Sequence, residues 1–128
     1  MNKLLIANRG EIAIRIMHAA AELGIESLAV YSDDDADALH PRKADQSVAL
    51  GAKGVAAYLD GDRILAIAAE TGCDAVHPGY GFLSENAAFA AKCAEARVTF
   101  VGPAPESLQL FGDKTAARAL AKKCGVPL

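Results

Sequence analysis

No close pair of cysteines, no basic stripe and no long apolar run occurs in this 128-residue sequence, and each absence removes a class of function. The three cysteines, Cys73, Cys93 and Cys124, are odd in number and far apart, which argues against a disulfide framework and against a Cys-x-x-Cys zinc knuckle. A reducing compartment suits such thiols. Thirteen basic against sixteen acidic residues give a net charge of −3. Without a basic face carrying interleaved aromatics, neither nucleic acid nor a membrane surface is an expected partner. No apolar stretch approaches the roughly 20 residues of a membrane span. The amino terminus turns polar at Asn8-Arg9-Gly10, too early for a secretory leader, so a soluble protein is expected. His18, His40 and His77 have no ligand-like spacing to one another or to the cysteines, and no metal site is expected.

What is present is an ordinary globular composition, 52% hydrophobic and 23% charged, in a length that suits one domain with a real core. Lys3 to Ala7 is a short apolar run closed by Asn8-Arg9-Gly10. Glu11 to Leu23 follows with Ile12, Ile16, Ala19, Ala20 and Leu23 at helical spacing, and Gly24 stands where a helix ends. Glu26 to Tyr31 is a second strand, which makes the first unit βαβ. Gln46 to Leu50 reads as a third strand, Asp62 to Thr71 as a helix closed by Gly72, and Asp74 to His77 as a fourth strand. Asn86 to Ala96 is helical and Thr99 to Val101 a fifth strand. Gly102-Pro103 then breaks the chain before helical stretches at Pro105 to Phe111 and Asp113 to Lys123. Strands alternating with helices predict an α/β fold with a doubly wound, mainly parallel five-stranded sheet. The last helix has no sheet partner in the sequence, so the tail reads as the beginning of a further, truncated region.

Four segments are candidates for chemistry. Asn8-Arg9-Gly10-Glu11 occupies the first strand-to-helix turn but holds one glycine where a dinucleotide fingerprint needs three. It is read as a structural turn. Ser32-Asp33-Asp34-Asp35 lacks the glycine and terminal glutamate of a calcium loop and is read as a solvated acidic loop. On the first helix Arg15, His18 and Glu22 share a polar face, with Glu11 four residues before Arg15; solvent or a symmetric partner suits it. The run from His77 to Asn86, with Gly79, Tyr80 and Gly81, joins the fourth strand to a helix, and at that end of an open sheet ligands bind. Two readings stand for it: a ligand-facing loop, or a tight turn with Tyr80 and Phe82 packed inward. Ser84 or Asn86 caps the helix that follows, and Ser84, with no base in reach, is read as a cap rather than a nucleophile. No catalytic residue is identified.

Three segments in register resemble the biotin carboxylase component of biotin-dependent carboxylases, a family that includes acetyl-, propionyl- and methylcrotonyl-coenzyme A carboxylases, pyruvate carboxylase and urea carboxylases. They are Leu5 to Ile16, His77 to Asn86, and Gly112-Asp113-Lys114 with Gly125-Val126-Pro127. The resemblance implies a Rossmann-like, pre-ATP-grasp domain over residues 1–111, with residues 112–128 beginning an ATP-grasp region. It implies a ligase that uses magnesium, ATP and bicarbonate to carboxylate biotin on a carrier domain, with none of these tightly held by this part and catalysis by this part alone not expected. Lys114 matches the lysine that contacts ATP phosphates, and Tyr80 and Gly81 match the loop near the biotin ring. Implied partners are the downstream ATP-grasp and carboxyl-terminal domains, the biotin carrier domain, a carboxyltransferase and a second copy meeting at Arg15, His18 and Glu22. His18 stands where bacterial members often have arginine. Tyr58-Leu59-Asp60 stands where the family usually ends a Pro-rich stretch in Ser-Tyr-Leu-Asn, a departure that suits a fused, multidomain member. The compartment implied is bacterial cytoplasm, or the mitochondrial matrix in a eukaryote. Two other functions fit the same elements: a domain of another ATP-grasp ligase, indifferent to biotin, and a non-catalytic assembly module.

Overall fold

A computed structural model describes residues 1–102. The elements run β1 (Lys3–Ile6), α1 (Gly10–Glu22), β2 (Glu26–Tyr31), a 3-10 turn (Asp33–Asp35), α2 (Leu39–Lys43), β3 (Gln46–Ala49), α3 (Gly54–Tyr58), α4 (Gly61–Thr71), β4 (Ala75–His77), α5 (Ala87–Glu95) and β5 (Thr99–Phe100). The five strands form one sheet in the order β3-β2-β1-β4-β5, and every neighbouring pair is parallel. The expected doubly wound α/β sheet is present, and each expected strand lies within one or two residues of its predicted ends. The helices read at Pro105 to Phe111 and Asp113 to Lys123 lie outside the described residues.

A parallel sheet of this kind is covered on both faces, and the strand residues divide accordingly. Leu4 and Ile6 of β1 join Ala29 and Ala75 beneath Ala13, Met17 and Ala20 of α1. Leu5, Leu28, Val30 and Val76 point the other way, into a larger cluster with Tyr58, Ile64, Ile67, Phe89 and Cys93. Cys73 and Cys93 are buried free thiols. The stripe expected on α1 is displaced in part: Ala20 is buried as expected, but Ala13 and Met17 are buried in place of the half-buried Ile12 and Ile16, and Leu23 is 75% exposed. Small side chains let the helix axis settle close to the sheet, which rolls Ile12, Ile16 and Leu23 to the flank. At its end, Gly24 adopts φ +71°, its amide bonds to Ala21 and the Ile25 amide to Ala20, so two last-turn carbonyls are satisfied.

The acidic loop departs from expectation. Asp33 and Asp34 are exposed, but Asp35 is buried, only 8% exposed, because the turn rolls it toward the exit of β1. Arg9 grips it bidentately, Nε to Oδ2 at 2.7 Å and Nη2 to Oδ1 at 2.8 Å. The Tyr58 hydroxyl donates to Oδ2 at 2.6 Å and itself accepts the Ser32 amide at 3.1 Å. One carboxylate thus ties the ends of β1, β2 and α3 together. The Arg9 guanidinium holds the Asp35 carboxyl well below the usual carboxylate range. Beside it, His40 is 1% exposed, its Nε2 lies 3.1 Å from the Val30 carbonyl, and Nδ1 has no partner among the described residues. Burial pushes the His40 imidazole below its ordinary value.

Two outcomes follow for stability. Tyr58→Phe strips a donor from Asp35 and leaves the buried Ser32 amide unpaired, at a cost of about 1–3 kcal/mol. The thermal midpoint by circular dichroism should fall by several degrees, and an unmoved midpoint would refute the network as a stabilising element. The pH response is set by groups whose folded pKa is depressed. For His40, the folded state keeps the ring neutral while the unfolded chain protonates below about pH 6.5, so stability is complete above that pH and drains away as acid is added. Asp35 adds a second loss below about pH 4, where the unfolded carboxyl takes up its proton. A midpoint that stays constant between pH 7 and 5 would contradict the burial of a neutral His40.

Candidate functional site

The sheet order places β1 next to β4, and the chain leaves these two strands in opposite lateral directions, first toward β2 and then toward β5. In an open α/β sheet the crevice beyond such a switch point is where ligands bind. The segments that meet there are Ala7-Asn8-Arg9 after β1 and His77 to Asn86 after β4. They are joined by backbone, since the Ala7 amide bonds to the His77 carbonyl at 2.9 Å. They are joined again by a side chain. Asn8, 1% exposed, donates through Nδ2 to the carbonyls of Pro78 at 2.7 Å and Tyr80 at 2.8 Å, while its Oδ1 accepts the Arg9 amide at 2.8 Å.

The loop itself is tightly turned. Gly79 and Gly81 adopt φ +65° and +69°, and Phe82 follows at +48°, a conformation that side chains other than glycine adopt at some cost. The Gly79 amide donates to His77 Nδ1 at 3.0 Å, which leaves that nitrogen without a proton; burial also pushes the His77 imidazole below its ordinary value. Leu83 is buried and the Phe82 ring lies 5.5 Å from that of Tyr58, so the far half of the loop is anchored in the core. Tyr80 is different. Its side chain is 80% exposed at the crest of the loop. Of the two readings the sequence allowed, the inward-packed turn holds for Phe82 and fails for Tyr80.

Beside the crest a groove of about 580 Å³ runs along α1, its walls including Ile12, Ile16, Leu23, His77, Tyr80 and Val101. The chemistry on offer is an aromatic ring, close-lying backbone and an apolar flank. Such a surface is suited to a flat ligand; among the described residues no group of three acids, histidines or cysteines is disposed to hold a metal.

Of the other candidates, Arg15 lines the same groove as His77, Gly79 and Tyr80, while Ser84 and Asn86 lie in the loop itself. Arg15, His18 and Glu22 are all exposed on α1, and Arg15 Nε lies 3.4 Å from Glu11 Oε1. Helix α5 is capped by Asn86, the second of the two expected candidates, whose Oδ1 accepts the Phe89 amide at 2.9 Å; Ser84 is not the cap. Ser84 sits within the turn, its amide bonded to the Gly81 carbonyl. Lys114 lies outside the described residues. Sequence reasoning placed Asn8 in a turn, Asp35 in a solvated loop and His40 in no site, and so missed their buried roles; for Asn8 the available signal was a polar residue directly after a buried parallel strand, at the end where ligands bind.

Known proteins share these features over the whole chain. The sequence model of the family described as "Biotin carboxylase, N-terminal domain" matches residues 1–108. Biotin carboxylase 1 of Bacillus subtilis is 53% identical over 129 residues, covering 100% of this chain and 29% of that protein. Mitochondrial pyruvate carboxylase of Rattus norvegicus is 51% identical over 131 residues, covering 100% of this chain and 11% of its own length. Among solved structures, the biotin carboxylase domain of a single-chain bacterial carboxylase superposes with a TM-score of 0.97 at 57% identity, covering 100% of this chain and 30% of that one. This chain therefore spans less than a third of the relatives it matches. Its strand order, its loop at the switch point and its likeness along the full length together show that the chain belongs to the biotin carboxylase N-terminal domain family.

Proposed function

We propose that this domain forms one wall of a biotin carboxylase site, where magnesium, ATP and bicarbonate serve to carboxylate biotin presented on a carrier domain. The observation that carries the reading is Tyr80, an aromatic side chain left 80% exposed on a loop whose backbone is pinned on both sides. Exposed aromatic rings on rigid backbone are suited to stacking against a flat ligand at little entropic cost. The donor set fits biotin better than it fits the other groups. The Tyr80 ring and the backbone at Gly81 suit a bicyclic ring lying across the loop, whereas the described residues gather no carboxylates for magnesium.

ATP, bound with magnesium, would activate bicarbonate by phosphorylation, and that chemistry depends on charges that the described residues do not gather. What the domain's own residues do is bind and orient. Tyr80 and Gly81 receive the biotin ring, His77 and Asn8 hold the loop, and Lys114 supplies a positive charge for the ATP phosphates. Residues 1–111 form the pre-ATP-grasp domain and residues 112–128 begin the ATP-grasp region. The downstream ATP-grasp and carboxyl-terminal domains, a biotin carrier domain and a carboxyltransferase complete the enzyme. The exposed Arg15, His18 and Glu22 face is where a second copy docks. Cytoplasm, or the mitochondrial matrix in a eukaryote, is the compartment that suits the buried free thiols.

The deciding assay is bicarbonate-dependent ADP release by the full-length protein carrying this domain, with and without free biotin. Stimulation by biotin supports the reading, and turnover indifferent to biotin sinks it. Tyr80→Ala should raise the KM for biotin on the order of tenfold, equivalent to about 1.4 kcal/mol, and an unaltered value would remove Tyr80 from the site. Lys114→Ala should weaken ATP use by roughly ten- to a hundredfold, as loss of a charged hydrogen bond does, with the thermal midpoint unchanged. Normal ATP kinetics in that variant would end the assignment.

A further inference from the structure

We propose that Asn8 is a positioning residue, whose side-chain amide fixes the Pro78–Gly81 backbone and thereby sets where Tyr80 stands against its ligand. The proposal rests on the reading of Tyr80 as biotin-facing. With its ring 80% exposed, Tyr80 gains little orientation from packing, so its direction is decided by its own backbone. Among the described residues, the side chain bonded to that backbone is Asn8, at 2.8 Å from the Tyr80 carbonyl. The second Nδ2 hydrogen takes the Pro78 carbonyl at 2.7 Å, so one amide group spans both sides of Gly79. Both donors of the amide are thereby used; Asn8 is 1% exposed, the bond to Pro78 is buried and that to Tyr80 partly so.

The fit between loop and amide is close enough to require the glycine. A Cβ built on Gly79 would stand 2.7 Å from Asn8 Nδ2 and 2.9 Å from Ile12 Cγ2, at a φ of +65° that already disfavours a side chain. Asn8 is in turn held by its neighbour. Its Oδ1 accepts the Arg9 amide, and Arg9 is locked onto buried Asp35. A continuous set of contacts therefore runs from the core of the fold to the carbonyl of Tyr80. Aspartate at position 8 keeps the shape of asparagine but replaces the donors with an acceptor aimed at two carbonyl oxygens. Alanine at position 79 lifts the loop off an intact Asn8.

The test compares Asn8→Asp, Gly79→Ala and Tyr80→Ala, and the first two combined with the third, in the full-length carboxylase. Asn8→Asp and Gly79→Ala should each raise the KM for free biotin on the order of tenfold while shifting the KM for ATP by less than about twofold. In the Tyr80→Ala background each should add less than about twofold, because the residue being positioned is gone. Full, multiplicative effects in that background would overturn the positioning role, as would parallel loss of biotin use, ATP use and thermal midpoint in both variants. A Tyr80→Ala defect beside normal kinetics in Asn8→Asp and Gly79→Ala overturns the positioning role alone. Unaltered biotin kinetics in Tyr80→Ala overturns the reading of the loop, and this proposal with it.

Discussion

The buried carboxylate of Asp35 is the contact on which the rest of the ligand-facing edge depends. Three strand or helix ends converge on it, through Arg9 after β1, Ser32 after β2 and Tyr58 at the end of α3. As a source of net stability the pair is modest, because the Arg9 side chain is 48% exposed and water screens its attraction to Asp35. Its value is geometric. A bidentate guanidinium–carboxylate fork has one good arrangement, and the Tyr58 hydroxyl removes the remaining freedom by bonding both the carboxylate and the Ser32 amide. Arg9 fixed in this way fixes Asn8 beside it, and Asn8 reaches the loop after β4. A loss of Asp35 would therefore be felt 45 residues further along the chain, at Tyr80, as well as locally.

The sheet topology explains why the contacts run in that direction. Because β1 lies at the centre with β2 on one side and β4 on the other, its carboxyl end is the point where both halves of the fold can be referenced to one another. The strands around it are short, from two to six residues, and their ladders stop at the crevice. Beyond the last ladder bonds, side chains must take over the alignment of the two exits. Asn8 suits this task because its amide donates twice in one plane and is short enough to stay rigid when buried. His77 does the matching work from the β4 side by accepting the Gly79 amide.

Much of the architecture was legible in the sequence because the period of apolar residues changes between strand and helix, and each strand was met at the expected place. What escaped was decided by contacts distant in sequence. Asp33, Asp34 and Asp35 are indistinguishable by composition, and only the proximity of Arg9, 26 residues away, selects the third for burial. The stripe on α1 is shifted for a related reason: Ala20 is buried as expected, but Ala13, which carries little hydrophobic signal, and Met17 face the sheet in place of Ile12 and Ile16. Helix α3 gave no periodic pattern in five residues. The departure at Asp60 is explained by the structure, since its Oδ1 accepts the Arg63 amide at 3.1 Å and caps α4, a task asparagine and aspartate share. The loop with Tyr80 and Gly81 was legible from its place between a strand and a helix, and only the ligand assigned to it came from likeness to a family.

The strained turn at Phe82 bears on why Tyr80 is displayed at all. A residue other than glycine at φ +48° costs on the order of 1–3 kcal/mol, and such strain persists only where the surroundings over-determine it. Here the Phe82 ring packs on Tyr58 at 5.5 Å and Leu83 is buried, so burial of two apolar side chains offsets the strain. With Asn8 on one side of the crest and this hydrophobic anchor on the other, the backbone between them has little choice of path. Tyr80 is then held out into solvent by residues that gain nothing from its exposure. The backbone that carries the ring therefore has little further freedom to lose when a ligand meets it, and only the side-chain torsions of Tyr80 remain to be fixed.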